Sequence, residues 1–268
     1  MRAVCTRAPP TSARSGRPPR PAPHYRDAPN AVRAIRVMGA MRLVRRWLAR
    51  GILAFVVGSL ALVTLYHYVD PPLTPLMVIR SVQGLFAGDP VGIDRRRVPL
   101  RAVSPALLRS VIAAEDARFF EHWGVDMKEV ERSREYNERQ HGRRLRGAST
   151  ISMQCARSVF LWPGRTYLRK AFEVYFTILI EQLWGKRRIL EVYLNVAEWG
   201  PGIYGVEAAA QRYFGVSAAQ LDGTRPALLA ATLAAPHRFN PAAPSPSLQR
   251  RAATIAARAA RTPLPKSP

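Results

Sequence analysis

The sequence predicts an all-α, mainly helical fold preceded by one transmembrane helix, and three observations carry that expectation. Apolar residues between Ser104 and Pro241 recur with a helical period, no run alternates with period two, and one apolar stretch without formal charge lies near the N-terminus. Of 268 residues, 48% are hydrophobic and 22% charged, with five Trp and nine Phe, so a packed core is expected and wholesale disorder is excluded. Cys5 and Cys155 make neither a disulfide framework nor a zinc-site spacing. The 41 Lys+Arg against 18 Asp+Glu leave a net charge of +23, which points to a polyanionic partner, either nucleic acid or an anionic membrane surface.

The distribution of charge chooses between them. Residues 1–50 hold twelve arginines and one acid, Asp27, so nearly half of the net charge lies in a short basic N-terminal segment. Its first 37 residues are rich in Pro, Arg and Ala without an apolar period and are expected to be unfolded, with Met38 or Met41 as candidate true starts. Residues 51–69, GILAFVVGSLALVTLYHYV, span about 28 Å as a helix, roughly one hydrocarbon core. A buried core helix and a cleaved signal peptide are the alternatives. Arg42, Arg45, Arg46 and Arg50 stand before the run, Tyr66 and Tyr68 close it, and Asp70-Pro71-Pro72 follows where a cleavage site would need small residues. An uncleaved single-pass anchor in a bacterial inner membrane is expected, its N-terminus cytoplasmic and the rest periplasmic, with membrane lipid rather than nucleic acid as the anionic partner.

Residues 70–103 read as a Pro-punctuated connector, 104–241 as the folded domain, and 242–268 as a basic Pro/Ala-rich tail in which Ser247–Arg261 has the pattern of an amphipathic helix. Ser104-Pro105 opens the first domain helix and Gly124 is its expected stop. Leu108, Val111, Ile112, Glu115 and Phe119 share one stripe, which puts the Glu115 carboxylate on the inward face. Burial and the negative end of the helix would raise its pKa towards the range of a general base; a structural ion pair with an arginine is the alternative. Asp116, one step round, is expected to be exposed or to cap.

In RGASTISMQCARSVFL, Ser149 and Thr150 stand in N-cap position, and Thr150, Gln154 and Arg157 form a polar stripe opposite Ile151, Cys155 and Val159. A helix start with free amides, hydroxyls and an arginine suits a diphosphate, although such caps also open ordinary helices. After Trp162-Pro163-Gly164 comes a helix apolar nearly all round, in which Glu173 follows a basic cluster of Arg165, Arg169 and Lys170. Buried ion pairing is the expectation for Glu181 and one of two for Glu173, the other being a second functional carboxylate facing a cleft. The segment from Lys186 to Gly215 reads as scaffold, a helix, a Gly/Pro turn and a second helix, and His122, His141 and His237 lack metal-ligand spacing.

Taken in order, E-D-A-R-F-F-E-H-W-G from Glu115, R-G-A-S-T-I-S-M-Q from Arg146, R-K-A-F-E ending at Glu173 and K-R-R-I-L-E-V-Y-L-N from Lys186 form a recognisable set. The set resembles the peptidoglycan glycosyltransferases, in particular their monofunctional biosynthetic members in Gram-negative bacteria, over roughly residues 70–245. The resemblance implies a lysozyme-like helical head with a small membrane-facing jaw at about Val125–Arg146. It implies that Glu115 is the base acting on the 4-hydroxyl of GlcNAc in lipid II, while the growing chain is transferred with inversion and undecaprenyl diphosphate leaves. By the same resemblance Glu173 is the second acid, orienting the diphosphate or a divalent cation (Mg or Mn). Arg165 matches a diphosphate-binding arginine, and Ser149, Thr150 and Gln154 match the cleft motif. Arg157 replaces a family lysine, offering a planar fork in place of a point charge. Met153 replaces a Gln, and Thr224-Arg225-Pro226 stands where a Glu is common. No S-x-x-K or K-T-G is present, so cross-linking is expected to fall to transpeptidase or division partners.

Two other readings are open at this point: a lytic glycosidase, which shares the chemistry at the anomeric carbon, and a non-enzymatic basic protein of the membrane surface.

Overall fold

The computed structural model describes residues 28–88, 90–141, 146–164 and 166–264. They divide into two units, one ending at Val57 and one running from Gly58 onward. Helix α1, Ala28–Tyr68, passes through both. It starts well before the apolar run, so residues 28–37 are helical where an unfolded segment was expected. The stretch after Pro29 is rich in Ala, Arg, Val and Met, and proline is tolerated in a first helical turn. The unfolded segment expected over residues 1–27 falls outside the described residues. Met41–Tyr68 is the one helix among them long and apolar enough to cross a membrane.

Within the second unit, the last turns of α1 are tied to the helices that follow. Ser59 Oγ and Tyr175 Oη lie 2.6 Å apart, Trp184 Nε1 donates to the Val63 carbonyl at 2.8 Å, and Arg188 donates to the Tyr66 carbonyl at 2.8 Å. Asp70 ends the segment in ion pairs with Arg188 and Arg97.

The connector is more ordered than its prolines indicated. Thr74 caps α2, Pro75–Phe86, by accepting from the Met77 amide, with Pro75 in the first helical position. Strand β1, Asp94–Arg95, then pairs in parallel with β3, Ile203–Tyr204, which pairs antiparallel with β2, Glu198–Gly200. Strands of two or three residues are too short to show a period, so no pattern of residues marks them.

Helix α3, Pro105–Glu115, stops at Glu115 and not at Gly124, because Asp116 leaves helical backbone geometry, with φ −162° and ψ 76°. Ser104 does not cap it by side chain; its hydroxyl donates to the Leu221 carbonyl. Helices α4, Met127–Arg139, α5, Ile151–Phe160, α6, Tyr167–Leu183, and α7, Gly185–Val196, follow, then α8, Val206–Phe214, and α9, Arg225–Thr232. The centre of the domain is α5 laid against α6 and α7, with Ile151, Cys155, Ile180, Ile189 and Leu194 sealed from solvent. The tail is not an appendage. Helix α10, Pro246–Ala259, packs on α3 and α9 through Leu248, Ala252 and Ile255, so the domain runs past the expected boundary at residue 241. Burying Leu248 alone is worth about 1.5–3 kcal/mol.

Candidate active site

The site begins where α3 ends. Glu115 is its last residue, so the carboxyl sits at the negative end of the helix, and Asp116 departs sideways. Asp116, predicted to be exposed or to cap, is buried and caps: it accepts the Ile151 amide at 3.1 Å at the start of α5 and His122 Nε2 at 2.9 and 3.0 Å. That bond docks the start of α5 beside the end of α3. Thr150 completes the junction, accepting from the Met153 amide and donating to the Gly124 carbonyl at 2.5 Å. Gly124 has φ +76° and a Cβ there would come within 2.9 Å of Thr177, so the approach requires glycine.

One turn into α5, Gln154 Nε2 donates to Glu115 Oε2 at 2.8 Å, and its carbonyl oxygen accepts from Tyr193 Oη at 3.2 Å, which fixes the amide's orientation. Glu115 has no ion pair within 4.0 Å among the described residues. Burial raises its pKa and the Asp116 charge adds to the rise, while the Gln154 bond and the charges of Arg251 and Arg157 oppose it. A carboxyl held this way is ionisable yet basic.

Glu115 and Gln154, joined by their hydrogen bond, line two different cavities. One, of about 190 Å³, is lined by Glu115, Asp116, Ser149, Thr150 and Arg258. The other, of about 270 Å³, is lined by Gln154, Arg157, Arg80, Trp162, Tyr193 and Glu198. Lys170 stands at the edge of the first, with its Nζ 3.5 Å from Ser149 Oγ and 2.6 Å from Glu173 Oε1.

The fold therefore gathers Glu115, Ser149, Thr150, Gln154 and Arg157 around one locus and brings Lys170 to its edge. Two expected residues are placed otherwise. Glu173 is 1% exposed with one oxygen on Lys170 and the other on Arg169, each at 2.6 Å. Arg169 is turned into the interior with it, since an unpaired carboxylate in the middle of α6 would be costly to bury. Arg165 lies outside the described residues. Glu181 forms the buried pair expected of it, with Lys186 at 2.7 Å.

Arg251 and Arg258 were not among the residues singled out from the sequence. They stand seven apart, each three residues after a buried apolar position, Leu248 and Ile255, so both flank the buried stripe of α10 on one side. That spacing was the available signal.

Among the described residues, neither Glu173 nor the Asp116 cluster offers a full set of free donor atoms for a divalent cation. Both Glu173 oxygens are engaged by cations, which does not fit the expected metal role. The fold does bring Asp116, His122 and Asp126 within 4.8 Å, against the absence of a ligand spacing in sequence. Yet Asp116 is held by His122 and Ile151, and Asp126 accepts the Glu129 amide at 3.0 Å and faces Arg118 at 3.5 Å. The cluster fastens the turn after α3 to α4 and α5.

Comparison with known proteins gives a consistent picture. The family model described as Transglycosylase matches residues 87–260. A biosynthetic peptidoglycan transglycosylase of Caulobacter vibrioides is 50% identical over 214 residues, covering 80% of this chain and 90% of the relative. One from Rhodospirillum centenum is 52% identical over 219 residues, 82% and 91% of the two chains. One from Pseudomonas entomophila is 46% identical over 213 residues, 80% and 89%.

Proposed function

The chain belongs to the transglycosylase family, and from that premise we propose how its residues divide the work. It is a peptidoglycan glycosyltransferase and polymerises glycan strands. The substrate is lipid II. Glu115 takes the proton of the 4-hydroxyl of its GlcNAc, and the oxygen attacks the anomeric carbon of the lipid-linked growing chain from the face opposite the diphosphate. The carbon–oxygen bond to the diphosphate breaks, its electron pair leaves on undecaprenyl diphosphate, and the new linkage is β-1,4.

Charge accumulates on the departing diphosphate, so cations positioned beforehand stabilise the transition state. Arg157, in the cavity with Gln154, supplies one, and Lys170 another beside Ser149. Gln154 keeps the base oriented, and Arg251 and Arg258 add positive potential on the acceptor side. Glu173 acts through Lys170, holding that ammonium in place. No step is routed through a metal, because the Glu173 oxygens are already committed.

The chain carries a helix that fits a single-pass membrane anchor. Arg42, Arg45, Arg46 and Arg50 support a cytoplasmic N-terminus and a catalytic domain on the outer face of the inner membrane.

The observation that carries this reading is the half-buried Glu115 carboxyl, lining a cavity, held by one neutral amide and feeling the charges of Arg251 and Arg157. The test is conversion of labelled lipid II by the purified chain in detergent. Polymer that lysozyme digests is expected; absence of polymer across detergents and with added Mg or Mn would refute it.

A further inference from the structure

The 270 Å³ cavity holds a second arginine that no sequence motif marked. We propose that Arg80, on α2, binds the diphosphate of the polyprenyl-linked substrate together with Arg157, an assignment that rests on the glycosyltransferase reading above. Both side chains line that cavity with Gln154, the residue that contacts Glu115.

The guanidinium is not spent elsewhere. Its carboxylate neighbour is Glu198, and the approach is a loose 3.8 Å from Nε without a hydrogen bond, while Glu198 has His237 Nε2 at 3.0 Å. Arg80 Nε is buried and has no hydrogen-bond partner among the described residues. A guanidinium carries five N–H donors in a planar fork, which matches two phosphate oxygens at once. The side chain retains 39% exposure, so an anion entering the cavity can reach it.

The helix also suits this task. Val78, Val82, Leu85 and Phe86 are exposed along one side of α2, and Arg80 points from the opposite side. Six residues separate the end of α1 from the start of α2, at most roughly 25 Å of chain. An apolar stripe this near the end of a membrane-spanning helix lies in the lipid interface. Arg80 is then at the level where a diphosphate emerges from its lipid tail, and Arg157 lines the same cavity to receive the group with it.

The experiment uses the full chain in mixed micelles and measures binding of undecaprenyl diphosphate, with undecaprenol as the uncharged control. Glu115→Gln serves as background so that lipid II binding is read without turnover. Arg80→Gln is expected to weaken diphosphate and lipid II binding about tenfold, the value of one charge-assisted hydrogen bond. Undecaprenol binding should not change, and Arg80→Lys should recover part of the loss. Glu198→Gln, which removes the neighbouring charge, is expected to keep or tighten diphosphate binding. Wild-type affinity in Arg80→Gln would overturn the proposal. So would equal losses in Arg80→Gln and Glu198→Gln, the signature of a structural ion pair. Melting temperatures separate misfolding from lost contacts, and Arg80→Lys with Glu198→Gln keep the comparison decisive if Arg80→Gln is unstable. Failure of the glycosyltransferase reading would appear separately, as absence of polymer from the unmutated chain.

Discussion

Glu115 and Glu173 are carboxylates of the same domain, the first half-buried at a cavity and the second buried, and their surroundings differ in kind. Glu115 closes α3, accepts one hydrogen bond from a neutral amide and feels its arginines at a distance. Glu173 sits within α6 with a cation on each oxygen. The first environment leaves a group that takes up a proton more readily than an ordinary carboxylate; the second commits the charge to its two cations and uses it to position a neighbour. Enclosure by itself does not identify a catalytic acid or base. What distinguishes the two is whether the ionised form is already fully compensated.

Substitutions at the two sites should therefore fail in different ways. The largest effect is expected for Glu115→Gln, where polymerisation of lipid II falls by about 10²–10⁴-fold. Membrane association should be preserved and the melting temperature should not fall, checked by flotation with liposomes and thermal denaturation in detergent. Glu173→Gln should instead cost about 3–5 kcal/mol of stability, because Arg169 is left buried without its counter-charge. Its activity loss should follow the folded fraction together with the mobility of Lys170. A Glu173 variant as stable as the unmutated chain but inactive would show that the distinction between the two acids is wrongly drawn.

A smaller effect concerns stability against pH. Burial raises the Glu115 pKa, so the folded state holds this proton more tightly than the unfolded chain does. Its contribution to stability is full below the ordinary glutamate pKa and is lost as pH rises through the folded value. Glu115→Gln should accordingly melt higher than the unmutated chain at neutral pH, and the advantage should vanish as pH falls through the ordinary glutamate range. A melting curve series across that range checks it.

The helical class, the apolar anchor segment, α5 to α8 and the cluster of Glu115, Thr150 and Gln154 were legible because they depend on periodicity, caps and ordered motifs. What the sequence hid depends on contacts distant along the chain. The end of α3 is set by Asp116 reaching the Ile151 amide, 35 residues on, and no local signal marks such a bond. Arg169 carries the same charge whether it faces substrate or Glu173, and only the rotation of α6 within its neighbours decides. The tail was set outside the domain because Ala, Arg and Pro dominate it, yet Leu248, Ala252 and Ile255 dock α10 and bring Arg251 and Arg258 to the site. Arg80 was obscured by the prolines before α2, which read as a connector when they in fact start a helix.

The smallest perturbation tests the central claim most directly. The pH dependence of kcat/KM for lipid II polymerisation should be measured in the unmutated chain and in Arg251→Gln. Activity should fall on the acid side with a single protonation above the ordinary carboxylate range, since burial raises Glu115. Removing Arg251, whose charge holds that pKa down, should move the acid limb to higher pH. An acid limb at the ordinary carboxylate value, or one that Arg251→Gln leaves in place, would contradict Glu115 as the base.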